Sequence, residues 1–583
     1  MARARGASFI RQSAALVYGC SIPKTEMDMN WIAGRYAAFL LTLAGAAITA
    51  VLAAIASWWW LAAAAPLALL GALGVYDLIQ PRHAIRRNYP VIGNLRFLFE
   101  FIRPEIRQYF LEDDTQASPF SRAQRSIVYQ RAKREIDKRP FGTQEDVYGD
   151  RYEWINHSMS PAHINDIDFR VTVGGPECKQ PYSMSVFNVS AMSFGALSAN
   201  AVLALNEGAR QGDFAHDTGE GGISRYHRQP GGSLVWNIGS GYFGCRDEHG
   251  AFSEEAFVRN ACTPQVKMIE IKLSQGAKPG HGGILPAGKV TVEIAEARGV
   301  APWQDCNSPA SHSAFDSPIG LMRFVARLRE LSGGKPVGFK FCVGHPWEWF
   351  AIVKAMLETG ITPDFIVVDG AEGGTGAAPV EFVDHVGTPL REALRLVHNT
   401  LIGVNLRDRI KLGASGKIIT AFDMARVMAM GADWCNAARG FMFAIGCIQA
   451  QACHTGKCPT GVTTQDPLRQ RALVVPDKAQ RVANFHKNTL HALAELLAAA
   501  GLTHPGQLRP HHIARRISPS EIRLLSALFP ELAPGELLRG EFRHQVFRAG
   551  WAMAQAHSFQ PTHDITTALA REHAAHAAAA GNS

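Results

Sequence analysis

Eight short apolar runs, separated by stretches with helical spacing, constrain the fold more than any other feature of this chain. They are SVFNVSAMS (185–193), DFAHDTG (213–219), VKMIEIKLS (266–274), DCNS (305–308), PVGFKFCVG (336–344), FIVVDGAEGG (365–374), RIKLGASG (409–416) and WCNAARG (434–440). Between them, segments such as SPIGLMRFVARLRELSGG (317–334) and TAFDMARVMAMGA (420–432) repeat their apolar residues at helical period. Strand alternating with helix implies a parallel sheet. Eight repeats over roughly 250 residues predict a TIM (β/α)8 barrel rather than an open sheet.

In such a barrel the loops after the strands carry the chemistry. Here they are rich in glycine: Gly219, Gly221 and Gly222; Gly276, Gly280, Gly282 and Gly283; Gly370, Gly373, Gly374 and Gly376; Gly413, Gly416 and Gly440. Glycine lets backbone amides come close to a phosphate, so a flavin or nucleotide cofactor is expected. Tight turns alone would explain one such loop more easily than five.

Three of the ten cysteines are clustered in GCIQAQACHTGKCPTGV, at Cys447, Cys453 and Cys458, with Pro459 after the last. Three thiols at this spacing suit an iron–sulfur cluster, whereas zinc sites favour paired C-x2-C spacing. Without a nearby fourth cysteine, a three-iron cluster or a four-iron cluster with another ligand is expected. Buried free thiols are the alternative, and His454 reads as a neighbour rather than a ligand. The other cysteines are isolated, which fits a reducing compartment.

From Tyr36 to Tyr76 there is no Asp, Glu, Lys or Arg, a run of 41 residues. A spanning helix needs roughly 20, so two crossings fit. Ser57, the tryptophans at 58–60 and Pro66 place the turn of a helical hairpin. Basic residues flank both ends (Arg3, Arg5, Arg11, Lys24 and Arg35; Arg82, Arg86 and Arg87), while the turn carries no charge. The positive-inside rule then predicts a multi-pass inner-membrane protein with both ends and the catalytic domain in the cytoplasm. A cleaved signal peptide fits poorly, because the run is too long and begins too far in; a buried hairpin is the other alternative. Translation from Met27 or Met29 is compatible with the same anchor.

The net charge of +8 is small for 583 residues and spread along the chain, so nucleic acid is not an expected partner. With 47% hydrophobic and 19% charged residues, wholesale disorder is excluded. The expected organisation is a cytoplasmic segment (1–35), a transmembrane hairpin (36–78), a helical linker packing on the barrel (79–165), the barrel with its cysteine loop (166–475), a helical extension (476–553) and a low-complexity tail (554–583).

In order, SAMSFGALS (190–198), DTGEGG (217–222), IEIKLSQGAKPGHGG (269–283), VVDGAEGGTGAAP (367–379), LRDRIKLGASG (406–416) and CIQAQACHTGKCPTGV (447–462) resemble motifs of the FMN-binding domain of glutamate synthases. The resemblance covers about 180–470. It implies a TIM barrel holding FMN beside a 3Fe-4S cluster, and reduction of 2-iminoglutarate, formed from 2-oxoglutarate and ammonia, to glutamate. By match to the family motifs, Lys278 and Arg298 correspond to the cations holding the dicarboxylate and Glu220 to the acid of the substrate pocket. Glu220 and Lys278 are the catalytic candidates; Ser193, Gly373, Gly374, Gly416 and Gly440 are expected FMN contacts, with Lys340 near the flavin pyrimidine. Cys447, Cys453 and Cys458 are expected to hold the cluster.

Two departures qualify the resemblance. Where larger members have GEGGQ after the Lys-Pro pair, this chain has Gly280, His281, Gly282, Gly283 and Ile284, which replaces a polar substrate contact. The chain also shows no glutaminase module and no separate NAD-binding domain, so ammonia or an amine, and electrons from a ferredoxin-like or membrane partner, are expected from outside. Three readings follow: glutamate formation; a methylglutamate-synthase-like reaction with another 2-oxo acid or amine; or a non-catalytic membrane electron-transfer protein.

Overall fold

The computed structural model describes residues 27–563 apart from Gln116 and Arg543, with side chains from Gly34 onward. The basic residues Arg3, Arg5, Arg11 and Lys24 and most of the low-complexity tail lie outside the described residues. The chain forms two units, Met1–Gln116 and Ala117–Ser583, so the segment expected as one linker divides between them.

In the first unit, α1 (Met27–Ile55) and α2 (Leu61–Ile79) form a hairpin that turns at Trp58–Trp60, where Trp58 and Trp59 stack at 4.3 Å. Two stretches, Gly34–Ile55 and Trp58–Ile79, are long and apolar enough to cross a membrane by length and composition. Two threonines of the first stretch bond back to their own helix. Thr42 donates to the Ala38 carbonyl at 2.6 Å and Thr49 to that of Gly45 at 2.7 Å.

The second unit is built on a closed, all-parallel barrel of eight strands: β1 (Phe187–Val189), β2 (His216–Asp217), β3 (Leu234–Ile238), β4 (Val266–Lys272), β5 (Val337–Phe341), β6 (Phe365–Asp369), β7 (Lys411–Ser415) and β8 (Trp434–Ala437). Each strand pairs with its neighbours in sequence, and β8 closes on β1. The predicted barrel is therefore present, with one strand reassigned. The run at 305–308 is not a barrel strand: Cys306–Asn307 pairs antiparallel with Ile284–Leu285 inside the long excursion after β4. Its place is taken by Leu234–Ile238, every residue of which is buried.

Alternate residues of the strands point inward and fill the barrel in layers. Ala215, Val235, Met268, Phe365, Val367 and Trp434 form an apolar floor. Gly338 and Gly413 make room for it: a Cβ at either position would lie 2.6 Å from ring atoms of Phe365 and Trp434 respectively. Above the floor the inward positions turn polar, with Asp217, Asn237, Glu270 and Lys340 all buried.

Outside the barrel, helix Val475–Ala499 packs on helix Arg122–Lys133, with Asn484 and Asn488 donating to the carbonyls of Ala132 and Arg131. The region expected to be a helical extension then forms a hairpin, Ile513–Ser518 with Glu521–Leu524. Glu153–Ile155 completes this three-stranded antiparallel sheet.

Candidate active site

The site is assembled from loops at the C-terminal ends of the strands. The tight loop after β2 carries Glu220, and the excursion after β4 carries Lys278 and, on helix Val292–Arg298, Arg298. Gly219 and Gly221 let this β2 loop lie against the β1 loop: a Cβ on Gly221 would sit 2.9 Å from that of Ser193 and 3.3 Å from Arg298 Nη2. Ser193 is thus beside the acid and the arginine.

Glu220, Lys278 and Arg298 are brought together, and Lys272 at the end of β4 joins them. Its Nζ lies 3.0 Å from Glu220 Oε2. Burial opposes ionisation of Glu220, but Lys272, Arg298 and Lys278 outweigh it and hold the carboxyl below its usual range. Lys278 is shifted down, chiefly by burial and further by Lys272, with Glu220 opposing; its Nζ donates to the Gly282 carbonyl at 3.3 Å. The Arg298 guanidinium stacks over Phe243 at 5.0 Å and donates to the Phe194 carbonyl at 3.4 Å, while its buried Nε has no partner. His312 bridges Tyr242 Oη and the Lys272 carbonyl, and burial lowers it to about 4, so it is a neutral ring.

Opposite lies the loop after β6. Gly373 and Gly374 lie in this loop; a Cβ on Gly374 would meet Arg439 Nε at 3.2 Å, and Arg439 donates to the Thr375 carbonyl at 2.9 Å. Gly416, at φ +154, adjoins Leu390 and Glu372. Gly440 has a packing role, because its Cα faces the Phe485 ring. Lys340 is buried in β5 with Nζ 3.6 Å from Glu270 Oε1.

The cysteine loop approaches this same β6 loop, Cys453 Cβ lying 3.9 Å from where Gly376 would carry a Cβ. All three thiols are free. Burial pushes Cys447 up to about 11, with its two companions adding to the shift. Cys458, despite burial, is drawn down to about 7 by hydrogen bonds from Thr460 and Thr463. Lys289 donates to the Cys453 carbonyl at 2.8 Å and is sensitive to the charge of Cys453 and Cys458. Tyr129 donates to the Cys447 carbonyl at 2.7 Å, so helix Arg122–Lys133 buttresses the loop. Among the described residues, no three His, Cys, Asp or Glu side chains converge on a single ion position.

Sequence reasoning missed Lys272, His312, Arg439 and Lys289. For Lys272 a signal existed: Met268, Glu270 and Lys272 share one face of a strand by period two, and Met268 is a floor residue.

A closed parallel barrel whose mouth gathers one carboxylate and three cations has the (β/α)8 architecture in which the loops at the strand ends carry the chemistry. Residues 158–503 match the family profile described as a conserved region in glutamate synthase. The chain is 37% identical over 507 residues to the glutamate synthase large subunit-like protein YerD of Bacillus subtilis, covering 80% of this chain and 96% of that one. It is 36% identical over 322 residues to the archaeal glutamate synthase (NADPH) of Methanocaldococcus jannaschii, spanning 55% of this chain and 60% of the relative. Among solved structures, a flavocytochrome b2 variant with pyruvate bound aligns with a TM-score of 0.40 at 12% identity, a level from which nothing about chemistry follows. The chain belongs to the glutamate synthase family and is an oxidoreductase of that family.

Proposed function

We propose that this protein is a membrane-tethered oxidoreductase using FMN and a 3Fe-4S cluster to aminate a 2-oxo dicarboxylate reductively, converting 2-oxoglutarate through 2-iminoglutarate to glutamate. The observation that carries the reading is the set of three cations, Lys272, Lys278 and Arg298, around an ionised Glu220 at the barrel mouth. Lys278 and Arg298 bind the carboxylates of the substrate, Arg298 through a buried, planar guanidinium fork. Glu220 positions ammonia, takes a proton from its nitrogen as the C–N bond forms, and passes that proton to the carbinol oxygen, which leaves as water. Neutral His312 holds the Lys272 backbone without adding charge.

The donor set fits the cofactors. Gly373, Gly374 and Gly416 with Arg439 make a backbone-lined, cationic cradle suited to a flavin phosphate, and Cys447, Cys453 and Cys458, all free and with Cys447 sensitive to the charge of the other two, suit a multi-iron cluster more than a single ion. Bound FMN would supply the hydride and the cluster would supply electrons to it. The electrons originate from a ferredoxin-like protein or a membrane carrier.

Anaerobic purification with flavin, iron and sulfide analysis tests the cofactors; a preparation with no flavin absorbance overturns the reading. A second reading, an amine in place of ammonia, is favoured by Ile284, which is 57% exposed on its short ladder with Asn307 where larger members carry glutamine. Faster turnover with methylamine than with ammonia would select it.

A further inference from the structure

The segment after the hairpin holds an amphipathic helix whose apolar side is exposed. In GNLRFLFEFIRPEIRQYFL (93–111), Leu95, Leu98, Phe99, Ile102 and Ile106 recur at helical spacing along the helix Gly93–Ile106, and the row runs on to Tyr109 and Phe110 in the π-helical turn Arg107–Leu111. Phe99 is 60% and Phe110 82% exposed, and Leu95, Leu98, Ile106 and Tyr109 are exposed with them. The helix is held from its other side. Asp77 Oδ2, near the end of α2, accepts the Val91 amide at 3.0 Å and Asn94 Nδ2 at 2.5 Å. Phe97 meets the His83 ring at 5.0 Å and the Arg86 guanidinium at 4.3 Å, and a Cβ on Gly74 would lie 2.9 Å from Val91 Cγ2. These contacts set the rotation of the helix: Asn94 and Phe97 turn toward the base of the hairpin, and the apolar row turns away from it.

Positive charge runs beside the row. Arg96, Arg103 and Arg107 line an open groove together with Phe99, Ile106 and Leu111. Arg96 is paired with Glu100 at 2.9 Å, whereas Arg103 and Arg107 have no acidic partner among the described residues. We propose that the helix Gly93–Ile106 lies in the headgroup layer of an anionic phospholipid bilayer, with its apolar row at the acyl boundary and Arg103 and Arg107 on lipid phosphates. The proposal rests on the membrane reading of the hairpin and adds to it a contact that recognises lipid charge. The depth agrees. The stretch Trp58–Ile79 has 22 residues and rises about 33 Å at ~1.5 Å per residue, against ~30 Å of hydrocarbon. Asp77 and Gln80 then stand at the boundary, and Asp77 is the residue that holds the start of the helix. A protein partner or a second copy of the chain would cover the apolar row equally well, but the flanking arginines and the attachment at headgroup depth favour lipid.

Photo-crosslinking in the full-length protein tests the contact. The photoreactive residue p-benzoylphenylalanine is placed at Phe99, at Phe110 or, on the hairpin, at Leu41, and each protein is reconstituted in vesicles of phosphatidylcholine mixed with phosphatidylglycerol. The expected result is lipid adducts at all three positions, with phosphatidylglycerol enriched at Phe99 by roughly threefold or more over its share of the bilayer. The double variant Arg103→Gln, Arg107→Gln is expected to return the Phe99 adducts to the bulk lipid ratio and to leave those at Leu41 unchanged. Adducts to protein alone, or none, at both Phe99 and Phe110 while Leu41 labels lipid would overturn the proposal and leave the hairpin reading standing. Phe99 adducts that follow the bulk lipid ratio in the parent protein would overturn the recognition of lipid charge. Lipid adducts at Phe99 with none at Leu41 would sustain the surface contact and count against the crossings, and no lipid adduct at any of the three positions would remove both.

Discussion

Glu220 is the residue on which the chemistry turns, and its ionisation is set by its neighbours. A buried carboxyl left alone would titrate above its ordinary value of 4.5; here it titrates below it, and Lys272 is the largest of the cations responsible. Because the folded value is depressed, the stability that this ionisation contributes is present above the ordinary value and lost as pH falls through the lower, folded one. Replacing Lys272 with Gln removes the direct partner and leaves Lys278 and Arg298. The expected outcome is an upward displacement of the acid limb of the kcat/KM profile, together with a fall in activity on the order of 10- to 100-fold. An acid limb that stays in place while activity falls would show that Lys272 acts on substrate rather than through Glu220. Glu220 and Lys278 were legible because short glycine-rich motifs carry them, and Arg298 only through its match to the family. Lys272 carried only the period-two signal of its strand, because its pairing with Glu220 depends on how the β2 loop lies against the end of β4.

At the level of elements, the alternation of strand and helix was enough to give a barrel, and the error concerned which run supplied one strand. DCNS stood out by its polar ending, while the stronger signal, the continuous apolar LVWNI after Gly231 and Gly232, was overlooked. A strand covered on both faces loses alternation and reads as a plain apolar run. The antiparallel sheet at 513–524 was hidden for a different reason, since its third strand, Glu153–Ile155, comes from the other end of the unit. That junction is held by charge. The Glu153 side chain, 5% exposed, accepts from Arg391 at 2.7 Å and Arg426 at 3.2 Å, and Arg515 Nη1 lies at 3.9 Å. Removing the acid leaves three partly buried guanidinium groups facing one another. Glu153→Ala is expected to cost about 3 kcal/mol, measurable by denaturant unfolding. A loss below about 1 kcal/mol would mean that solvent screens the arginines without it.

For the whole molecule, the proposed membrane tether can act through apolar insertion of the hairpin or through surface charge. The two mechanisms respond differently to solvent. Basic residues such as Arg82, Arg86 and Arg87 beside α2 would be attracted to anionic headgroups at about 1 kcal/mol each, an attraction that salt screens within a Debye length of ~10 Å at 0.1 M. Helices such as Gly34–Ile55 and Trp58–Ile79, with mean hydropathies of 2.3 and 1.7, would be held by transfer of their side chains into hydrocarbon, which salt does not weaken. Leu41 and Leu69 are each 72% exposed on this hairpin and would face lipid. The full-length protein is expected to remain with the membrane pellet through a high-salt wash and an alkaline wash alike. A Leu41→Arg and Leu69→Arg double variant, at about 3 kcal/mol per charge introduced near a helix centre, is expected to shift a large share of the protein to the supernatant. Release of the parent protein by salt alone would assign its attachment to the arginines and make the hairpin a packed element of a peripheral protein.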